Sequence, residues 1–259
     1  MTEKEAKKFS PSNIFEGMTS ISALLNSGCE NDRVIDRVWV DESKRKSKER
    51  EIAFLLAKSK EKGFPLEFVT AERIEEITVG SSHGGILAFC SDRTLPALHR
   101  EQIVADGFYV YLEGIEDPYN FGYTVRSLYA AGVNGVILPQ RNWMSAAGVV
   151  ARASAGASER IPMMTASSDE VASVFREAGY SILCAGIRDS VSIFEEALPL
   201  PALLVIGGEK RGISRALLEK ADKIVRVDYG REFRGSLSAA SAATVMAFEI
   251  MRKNGRFKK

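Results

Sequence analysis

Three segments of this 259-residue chain carry polar side chains at a spacing that suits chemistry on a bound ligand. The first, DPYNFGYTVR from Asp117 to Arg126, follows the apolar run 108–112 and precedes an alanine-rich helical pattern. Polar residues therefore lie at the carboxyl end of a predicted strand, where open α/β sheets bind ligands. Asn120 is expected to cap the following helix. A capped helix with a surface arginine explains this segment, taken alone, equally well.

The second segment, LVIGGEKRGISR at 204–215, also begins with an apolar strand pattern. Its glycines permit tight turns and close approach of the backbone to a ligand. A dinucleotide-binding fingerprint does not fit, because Glu209 occupies the position of the middle glycine. A P-loop fits Gly207 and Gly212, but Ile213 replaces the lysine that reaches the phosphates. A backbone-lined pocket for an adenosine-like ligand and an ordinary turn between strand and helix both stay open.

The third segment, YGREFRGSLSAASAA at 229–243, leads into the last helical pattern. Gly235 and Ser236 indicate a turn, and Ser236 is expected to cap the helix. The alanines that follow allow a helix to approach neighbouring backbone closely. The apolar face of this helix, which includes Val245 and Met246, is more typical of a core or a subunit interface than of a cofactor site.

Alternating strand and helix patterns predict the elements that position these segments. In the N-terminal part, strands are predicted at 34–40, 65–69 and 84–89, and helices at 15–25, 41–62 and 71–77, the second of them ended by Gly63. From residue 107, strands are predicted at 108–112, 135–139, 161–164, 180–185, 203–207 and 223–227, with helices at 121–131, 144–153, 168–178, 215–221 and 237–252. Near-continuous apolar strands alternating with helices are typical of a parallel sheet covered on both faces. The sequence thus predicts an α/β protein.

The same pattern divides the chain into regions. Residues 1–12 are predicted to be a disordered leader, and 13–92 a small α/β domain. Residues 93–106 have no strong period and contain a proline, which predicts a linker. Residues 107–259 form the larger α/β domain.

The composition is that of a soluble globular protein, with 45% hydrophobic residues, 27% charged residues and a net charge of +1. The sequence has no apolar run long enough for a membrane span and no hydrophobic segment like that of a secretory signal. Cys29, Cys90 and Cys184 are odd in number and widely spaced, which suits the reducing cytoplasm. Together with only two histidines, they give no metal-ligand pattern, so no metal is expected.

Positive charge is concentrated in two places. One is the basic stretch within 44–50, made of Lys44, Arg45, Lys46, Lys48 and Arg50. The other is the C-terminal end, which contains Arg231, Arg234, Arg252, Lys253, Arg256, Lys258 and Lys259. Such clusters can neutralise nucleic-acid phosphates. Each cluster alone is better explained as a solvated helix face or a frayed tail.

Together the three segments resemble the motifs of the SPOUT superfamily, specifically the SpoU/TrmH-type RNA ribose 2′-O-methyltransferases. The first motif of that family has an asparagine, a glycine two residues later and an arginine four residues after that, here Asn120, Gly122 and Arg126. The second motif, G-x-E-x-x-G, is matched throughout by residues 207–212. The third, Ser-Leu-Asn at the start of the last helix, reads Ser-Leu-Ser at 236–238.

The resemblance extends over about residues 13–255. The segment ARASAGA at 151–157 is similar to a family segment, and SHGGI at 82–86 resembles the end of the N-terminal substrate-binding domain of ribosomal RNA members. Ser238 stands where the family usually has asparagine, and the approach to Ser236 is one residue longer and lacks an Ile-Pro-Met-like run. Serine has a shorter reach and a single donor, which affects how substrate or the methionine moiety is placed.

This resemblance implies a fold and an activity that composition does not. The C-terminal parallel-sheet domain would form a deep trefoil knot, an exception to the rule that chains do not knot. Its knot loops would bind S-adenosylmethionine in a bent form, and the enzyme would be a homodimer with its active site at the interface. The small N-terminal α/β domain would be of a ribosomal-protein-like, RNA-binding type. The substrate would be structured RNA, with ribosomal RNA favoured over transfer RNA.

The family roles carry over to individual positions. Arg126 would orient and polarise the ribose hydroxyl, Asn120 would hold Arg126 or the ribose, and Glu209 would fix Arg126 or the substrate. The residues implied in catalysis are Asn120, Arg126, Glu209 and Ser236. The residues implied in cofactor binding are Ile206, Gly207, Gly208, Gly212, Val227, Leu237 and Ser238. The residues implied in RNA binding are Lys44, Arg45, Lys46, Lys48, Arg50, Arg152, Arg231 and Arg234, and Arg152 and Ser236 could act from the partner subunit.

Two other interpretations remain. The departures in the third motif suggest a knotted RNA-binding protein that does not methylate. The second interpretation is an enzyme of the same class that acts on transfer RNA. A nucleotide-dependent oxidoreductase or kinase is disfavoured by the failed glycine fingerprints.

Overall fold

The computed structural model describes residues 13–28, 31–78, 83–140 and 146–256. Several sequence predictions concern residues outside these ranges, namely the leader at 1–12, Cys29, Ser82, the helix start at Met144, and the basic Lys258 and Lys259. The chain divides into two compact units. The first contains residues up to Thr94 together with 142–160, and the second contains 95–141 and 161–259.

The described strands and helices are numbered in chain order. The strands are β1 (Ile14–Glu16), β2 (Ile35–Asp41), β3 (Leu66–Val69), β4 (Ile86–Cys90), β5 (Phe108–Leu112), β6 (Gly135–Leu138), β7 (Met163–Thr165), β8 (Ser181–Ala185), β9 (Val191–Ser192), β10 (Ala202–Ile206) and β11 (Lys223–Arg226). The helices are α1 (Gly17–Leu25), α2 (Glu49–Lys62), α3 (Ala71–Glu75), α4 (Pro118–Ala130), α5 (Ala147–Ala153), α6 (Ser168–Glu177), α7 (Arg215–Leu218) and α8 (Ala239–Lys253).

The first unit is built on a four-stranded sheet in the order β1-β4-β2-β3. Strands β2 and β3 are parallel, and the other two pairs are antiparallel. The predicted helix from residue 15 begins only at Gly17, because Ile14 to Glu16 pair with β4. The helix predicted from residue 41 is interrupted. The side chain of Asp41 accepts a hydrogen bond from the Ser43 amide and starts a short 3-10 turn, and α2 begins at Glu49.

Helix α5 and the turns after it belong to the first unit, although the sequence placed them in the larger domain. Ala147 and Ala151 lie in the same buried cluster as Phe15 on β1. The Glu159 carboxylate forms an ion pair with Arg33 Nε at 3.0 Å, and the two side chains are 3% and 1% exposed. Tertiary contacts that are distant in sequence therefore determine where this segment packs.

The second unit is a seven-stranded parallel sheet in the order β7-β6-β5-β10-β8-β11-β9. This confirms the predicted parallel α/β architecture. Strands β5 and β10 are neighbours, and Leu112 pairs with Ile206 at their carboxyl ends. The two motif-bearing loops that follow these strands therefore begin side by side. The trefoil knot stays a prediction.

From Leu95 onward, the segment predicted as a linker belongs to the second unit. Leu98 and Ile103 are buried in its core, and Ala97 forms a bridge with Thr165 at the end of β7. A short 3-10 turn at 100–102 lies between these contacts. The absence of a periodic pattern at 93–106 thus reflects an irregular but packed segment.

Two helix caps differ from prediction. Asp117, not Asn120, caps α4, and its side chain accepts a hydrogen bond from the Asn120 amide at 2.8 Å. Ser238, not Ser236, caps α8, because its hydroxyl accepts from the Ser241 amide at 3.1 Å. In each case a neighbouring side chain of similar capping chemistry reaches the free amide first.

In the part of the chain that the structure describes, no helix is both long and apolar enough to cross a membrane. Cys90 and Cys184 are buried free thiols. Burial raises the pKa of each of these thiols to about 12. Both cysteines act as apolar core residues.

Candidate functional site

The loops after β5 and β10 touch through their backbones. The Glu113 amide donates a hydrogen bond to the Ile206 carbonyl at 2.9 Å. A Cβ placed on Gly208 would lie 2.3 Å from the carbonyl oxygen of Gly114, so no larger residue fits there without movement. The loop that carries the second motif is thereby held against the strand end that leads to the first motif.

The second-motif loop closes on itself. The Gly212 amide donates a hydrogen bond to the Gly208 carbonyl at 2.9 Å. A Cβ on Gly207 would lie 2.3 Å from the carbonyl carbon of Gly212, and Gly212 has a φ of +66°, which favours glycine. The glycine pattern of the motif is therefore a requirement of this tight turn, and Glu209 is presented at its tip.

A cleft of about 1040 Å³ opens beside this loop. Its walls are the second-motif loop, the segment 226–238 after β11, the loop 185–188 after β8 and the first turns of α8. All predicted cofactor-binding residues line it, namely Ile206, Gly207, Gly208, Gly212, Val227, Leu237 and Ser238. Glu209, Ser236, Arg231 and Arg234 line it as well. The structure thus brings together two motifs that are separated by 23 residues, 213–235, in sequence.

The cleft combines an apolar wall with polar groups. Ile206 and Met246 are 1% and 3% exposed, and Val227 and Leu237 are half-buried. The glycine backbone, Glu209 and several arginines also line the cleft. An apolar pocket with a few convergent polar groups is the usual form of a small-molecule site. A ligand with a flat heterocycle and a charged tail, such as an adenosine derivative, fits this distribution.

The first and second motifs are linked by a direct hydrogen bond. Asn120 Nδ2 donates to Glu209 Oε1 at 3.2 Å. Glu209 therefore keeps its other carboxylate oxygen for a ligand or a cation. The bond holds Asn120 beside Glu209, which lines the cleft, and the catalytic roles of both residues stay predictions.

Glu113 supports this arrangement and was missed by the sequence analysis. Its carboxylate accepts hydrogen bonds from the Ser168 hydroxyl at 2.9 Å and from the Ser214 amide at 2.8 Å. It thereby connects the end of β5 with the starts of α6 and α7. The available signal was an acidic residue directly after the apolar strand that precedes the first motif.

Arg126 lies outside the cleft. It is exposed on α4, and no hydrogen bond or ion pair from the described residues reaches its side chain. Six helical positions separate it from Asn120, which places the two about 120° apart around the helix axis. Its helical face also carries Tyr119 and Tyr123, which are 45% and 52% exposed. Arg126 therefore does not face the cleft of its own chain, and it could take its predicted catalytic role only in a site that a single chain does not form.

The third motif is held by its own serine and by an aromatic pair. The Ser238 hydroxyl also donates to the hydroxyl of Ser241 at 3.0 Å, so the serine that replaces the family asparagine serves as a helix cap. The Leu237 amide donates to the Tyr229 hydroxyl at 3.1 Å. The ring of Tyr229 meets the ring of Phe233 edge-on, with centroids 5.8 Å apart. Neither aromatic residue was singled out from the sequence.

The arginines of the cleft differ in their partners. Arg226 Nε pairs with Asp228 at 2.8 Å. The pKa of the Asp228 carboxyl is lowered, first by the hydrogen bond from Ser192 and then by Arg226. In contrast, the side chains of Arg231 and Arg234 make no hydrogen bond or ion pair with any residue of the described chain. These two cations are available to an anionic ligand.

The remaining predicted RNA-binding residues lie in the first unit. Lys44, Arg45, Lys46 and Arg50 are exposed, and Lys48 is half-buried and 3.5 Å from Glu51. The guanidinium of Arg45 lies 3.6 Å from the centroid of the Phe68 ring.

Arg152, on α5, forms an ion pair with Glu16 on β1 at 2.6 Å. Its side chain is 25% exposed. The ion pair with Glu16 connects α5 to β1, and a role of Arg152 in RNA binding stays a prediction. Among the residues described, no three His, Cys, Asp or Glu side chains come together as a metal site.

Comparison with known proteins gives matches over both units. The sequence profile of the SpoU rRNA Methylase family matches residues 107–248. A profile described as RNA 2′-O ribose methyltransferase substrate binding matches residues 14–96.

Individual relatives match along most of the chain. A protein of Staphylococcus haemolyticus named as a TrmH family tRNA/rRNA methyltransferase is 28% identical, over 93% of this chain and 95% of its own length. The 23S rRNA (guanosine-2′-O-)-methyltransferase RlmB of Shewanella oneidensis is 25% identical, over 93% and 97%. The solved structure of an AdoMet-bound rRNA methyltransferase from Sinorhizobium meliloti has a TM-score of 0.75 at 24% identity, covering 97% of this chain and 91% of that one. The structural likeness shows the fold.

Proposed function

The chain belongs to the SpoU rRNA Methylase family, and from that membership we propose that it methylates a ribose 2′-hydroxyl in structured RNA with S-adenosylmethionine as methyl donor. The observation that carries the proposal is the cleft beside the second-motif loop. Every residue expected to bind the cofactor lines it, together with Glu209. The apolar wall and the close-packed glycine backbone suit the adenosine and methionine parts of that cofactor.

The cofactor supplies an electrophilic methyl group and its own leaving group, so the protein mainly positions the reactants and excludes water. Ile206 and Met246 provide the apolar surface against which an adenine ring packs. Asn120 holds the Glu209 carboxylate at the edge of the cleft. Arg126 orients the ribose hydroxyl and stabilises the negative charge that develops on its oxygen. An arginine stays protonated, so it polarises the hydroxyl and does not remove the proton itself. The oxygen–methyl bond forms as the methyl–sulfur bond breaks, the neutral thioether is the leaving group, and the hydroxyl proton is released to solvent.

Arg126 acts in the cleft of a second copy of the chain. Its side chain lies outside the cleft of its own chain, on an exposed face of α4 that also carries Tyr119 and Tyr123. Exposed aromatic residues around an arginine are typical of the centre of a protein interface. A symmetric dimer that covers this face contains two equivalent active sites, each completed by the partner.

Ribosomal RNA is the favoured substrate, and transfer RNA is the alternative. The N-terminal match to a ribose methyltransferase substrate-binding profile supports a structured RNA. The relative from Shewanella oneidensis, which matches over nearly the whole chain, is named for 23S ribosomal RNA. The basic stretch within 44–50 supplies exposed cations that contact the RNA backbone.

The test is transfer of labelled methyl groups from S-adenosylmethionine to total RNA that lacks its own modifications. The RNA is then fractionated by size, and ribose methylation is mapped to a nucleotide. Label in ribosomal RNA that falls at least about 10²-fold with Arg126→Ala supports the proposal. If the label is found in transfer RNA, the proposed reaction stands and the favoured substrate is wrong. Label that Arg126→Ala leaves within a few-fold of wild type refutes the role of that residue.

A mixing experiment tests the shared site. Arg126→Ala and a variant with a damaged cleft, such as Gly208→Ala, are unfolded and refolded together. If Arg126 serves the partner's cleft, random pairing restores about a quarter of the wild-type sites. If Arg126 serves its own cleft, the mixture gains nothing over the separate variants.

A further inference from the structure

We propose that Phe233 is a stacking platform for the base of the nucleotide that is methylated, and that Arg231 and Arg234 hold the phosphates on either side of it. This inference rests on the proposed function and adds to it a residue that selects the substrate. It predicts that the target is an unpaired nucleotide whose base lies against the wall of the cleft.

The ring of Phe233 is held in place on two sides. One edge meets the ring of Tyr229, whose hydroxyl accepts the amide hydrogen of Leu237 at the start of the third motif. The ring also lies over Gly235, because a Cβ on that glycine would be 2.5 Å from the phenyl Cζ. Nevertheless Phe233 is 59% exposed. A large apolar ring that is positioned by its neighbours but left open to solvent is a surface prepared for a ligand.

The flanking charges identify the ligand as a nucleotide. Arg231 and Arg234 come two positions before and one position after Phe233, all three line the cleft, and neither arginine has a partner among the described residues. Proteins that bind single-stranded nucleic acid combine aromatic rings for the bases with cations for the backbone. The sequence Arg-Glu-Phe-Arg at 231–234 provides both within four residues.

The cofactor's adenine is the other flat group that could use this ring. The cleft already has an apolar wall at Ile206 and Met246, both nearly fully buried, where an adenine ring is enclosed. Phe233 is far more exposed than these residues. At about 1040 Å³, the cleft lies at the upper end of the range for small-molecule sites, about 300–1,000 Å³, so a ligand against the buried wall does not have to reach Phe233.

The variants Phe233→Ala, Phe233→Leu and Phe233→Tyr test the platform. Phe233→Leu keeps apolar volume but removes the π face, and Phe233→Tyr keeps the face. Phe194→Ala is the matched control, because Phe194 is 44% exposed in the same unit and does not line the cleft. Phe233→Ala and Phe233→Leu are expected to weaken RNA binding and raise KM for RNA by about 10- to 100-fold. Phe233→Tyr and Phe194→Ala should remain within about 3-fold of wild type.

Two further readouts separate stacking from other roles. The first is the Kd for S-adenosylmethionine from calorimetry, which should not change in any variant. The second uses a stem–loop RNA containing the mapped nucleotide with 2-aminopurine as its base, or with the base removed. Wild type should quench the 2-aminopurine without cofactor, and Phe233→Leu should not. Removal of the base should weaken binding to wild type about 10-fold or more but leave binding to Phe233→Leu nearly unchanged.

Several outcomes contradict the inference. If Phe233→Leu weakens S-adenosylmethionine binding and leaves RNA binding intact, the ring serves the cofactor. If removal of the base weakens RNA binding by the same factor in wild type and in Phe233→Leu, the ring does not contact the base. Both results require a wild-type protein that methylates RNA. A wild type that neither binds the cofactor nor methylates refutes the proposed function instead.

Discussion

Gly208→Ala should disable the site through a backbone contact that no side-chain movement can relieve. The new Cβ would lie 2.3 Å from the Gly114 carbonyl oxygen, and 2.8 and 2.9 Å from its carbonyl carbon and Cα. Real Cβ atoms essentially never come closer than 3.0 Å, so the loops after β5 and β10 must separate by about 0.7 Å. Glu209 follows directly, so its hydrogen bond from Asn120 is also disturbed.

The magnitude follows from that displacement. Misplacement of reacting groups by about 1 Å costs on the order of 10²-fold in rate, so a shift of about 0.7 Å should slow methyl transfer by about 10- to 100-fold. Overpacking of this kind costs about 1–3 kcal/mol of folding stability, which lowers Tm by several degrees. The variant should therefore stay folded at 25 °C while losing most of its activity.

The assay is single-turnover methyl transfer, with thermal unfolding measured on the same samples. Gly230→Ala is the control, because it lies next to Tyr229 in the wall segment, has no heavy atom within 4 Å of its added Cβ, and has an ordinary φ. It should keep wild-type rate and Tm. If Gly208→Ala reacts as fast as Gly230→Ala, the contact between the two loops does not position the site and this reasoning is wrong.

Two other predictions change residues of the first unit, and one control variant, at Glu219, lies in the second. Glu159→Ala leaves the buried Arg33 without its counter-charge and should lower the free energy of unfolding in urea by about 3–5 kcal/mol, whereas Glu219→Ala, at a surface ion pair, should change it by less than about 0.5 kcal/mol; equal losses would contradict the buried pair. Lys46→Ala should weaken RNA binding and reduce the slope of log K against log salt by about 0.7–0.9, whereas Lys60→Ala, at the far end of α2, should not. If the slope for Lys46→Ala equals that of the wild type, the basic stretch does not contact the RNA.

Much of the sheet could be predicted because its strands are continuous apolar runs. Strands β5 and β10 lie within one residue of their predicted limits, and their carboxyl ends carry the motifs as expected. Short strands were missed. β1 and β9 contain three and two residues, too few for a period, and they exist because a neighbouring strand offers backbone partners.

The packing of α5 with the first unit could not be predicted for a different reason. It depends on Glu159 meeting Arg33 and on Ala151 entering a core formed by residues more than 50 positions away. Nothing local in the alanine-rich sequence indicates such partners. The helix caps show the same limit at short range, since Asp117 and Asn120 both have capping chemistry and only the structure decides between them.

The sequence predicted which residues form much of the candidate site, but it did not predict how they are arranged in space. The glycine pattern at 207–212 indicated a tight turn because few other residues tolerate such close backbone contact. The exposed position of Arg126 and the ring of Phe233 in the cleft depend on helix phase and on loop conformation. Neither can be read from motif spacing.

The most direct test of the account is a calorimetric titration of the wild-type protein with S-adenosylmethionine, repeated on Ala242→Phe. Ala242 lines the cleft on α8, so the larger side chain fills space without removing a polar group. We predict saturable binding at one site per chain in the wild type, and its loss in a variant that still unfolds cooperatively. No heat with the wild type would contradict the central claim and favour an RNA-binding protein that does not methylate. If Ala242→Phe binds S-adenosylmethionine as tightly as the wild type, the cofactor does not bind in this cleft.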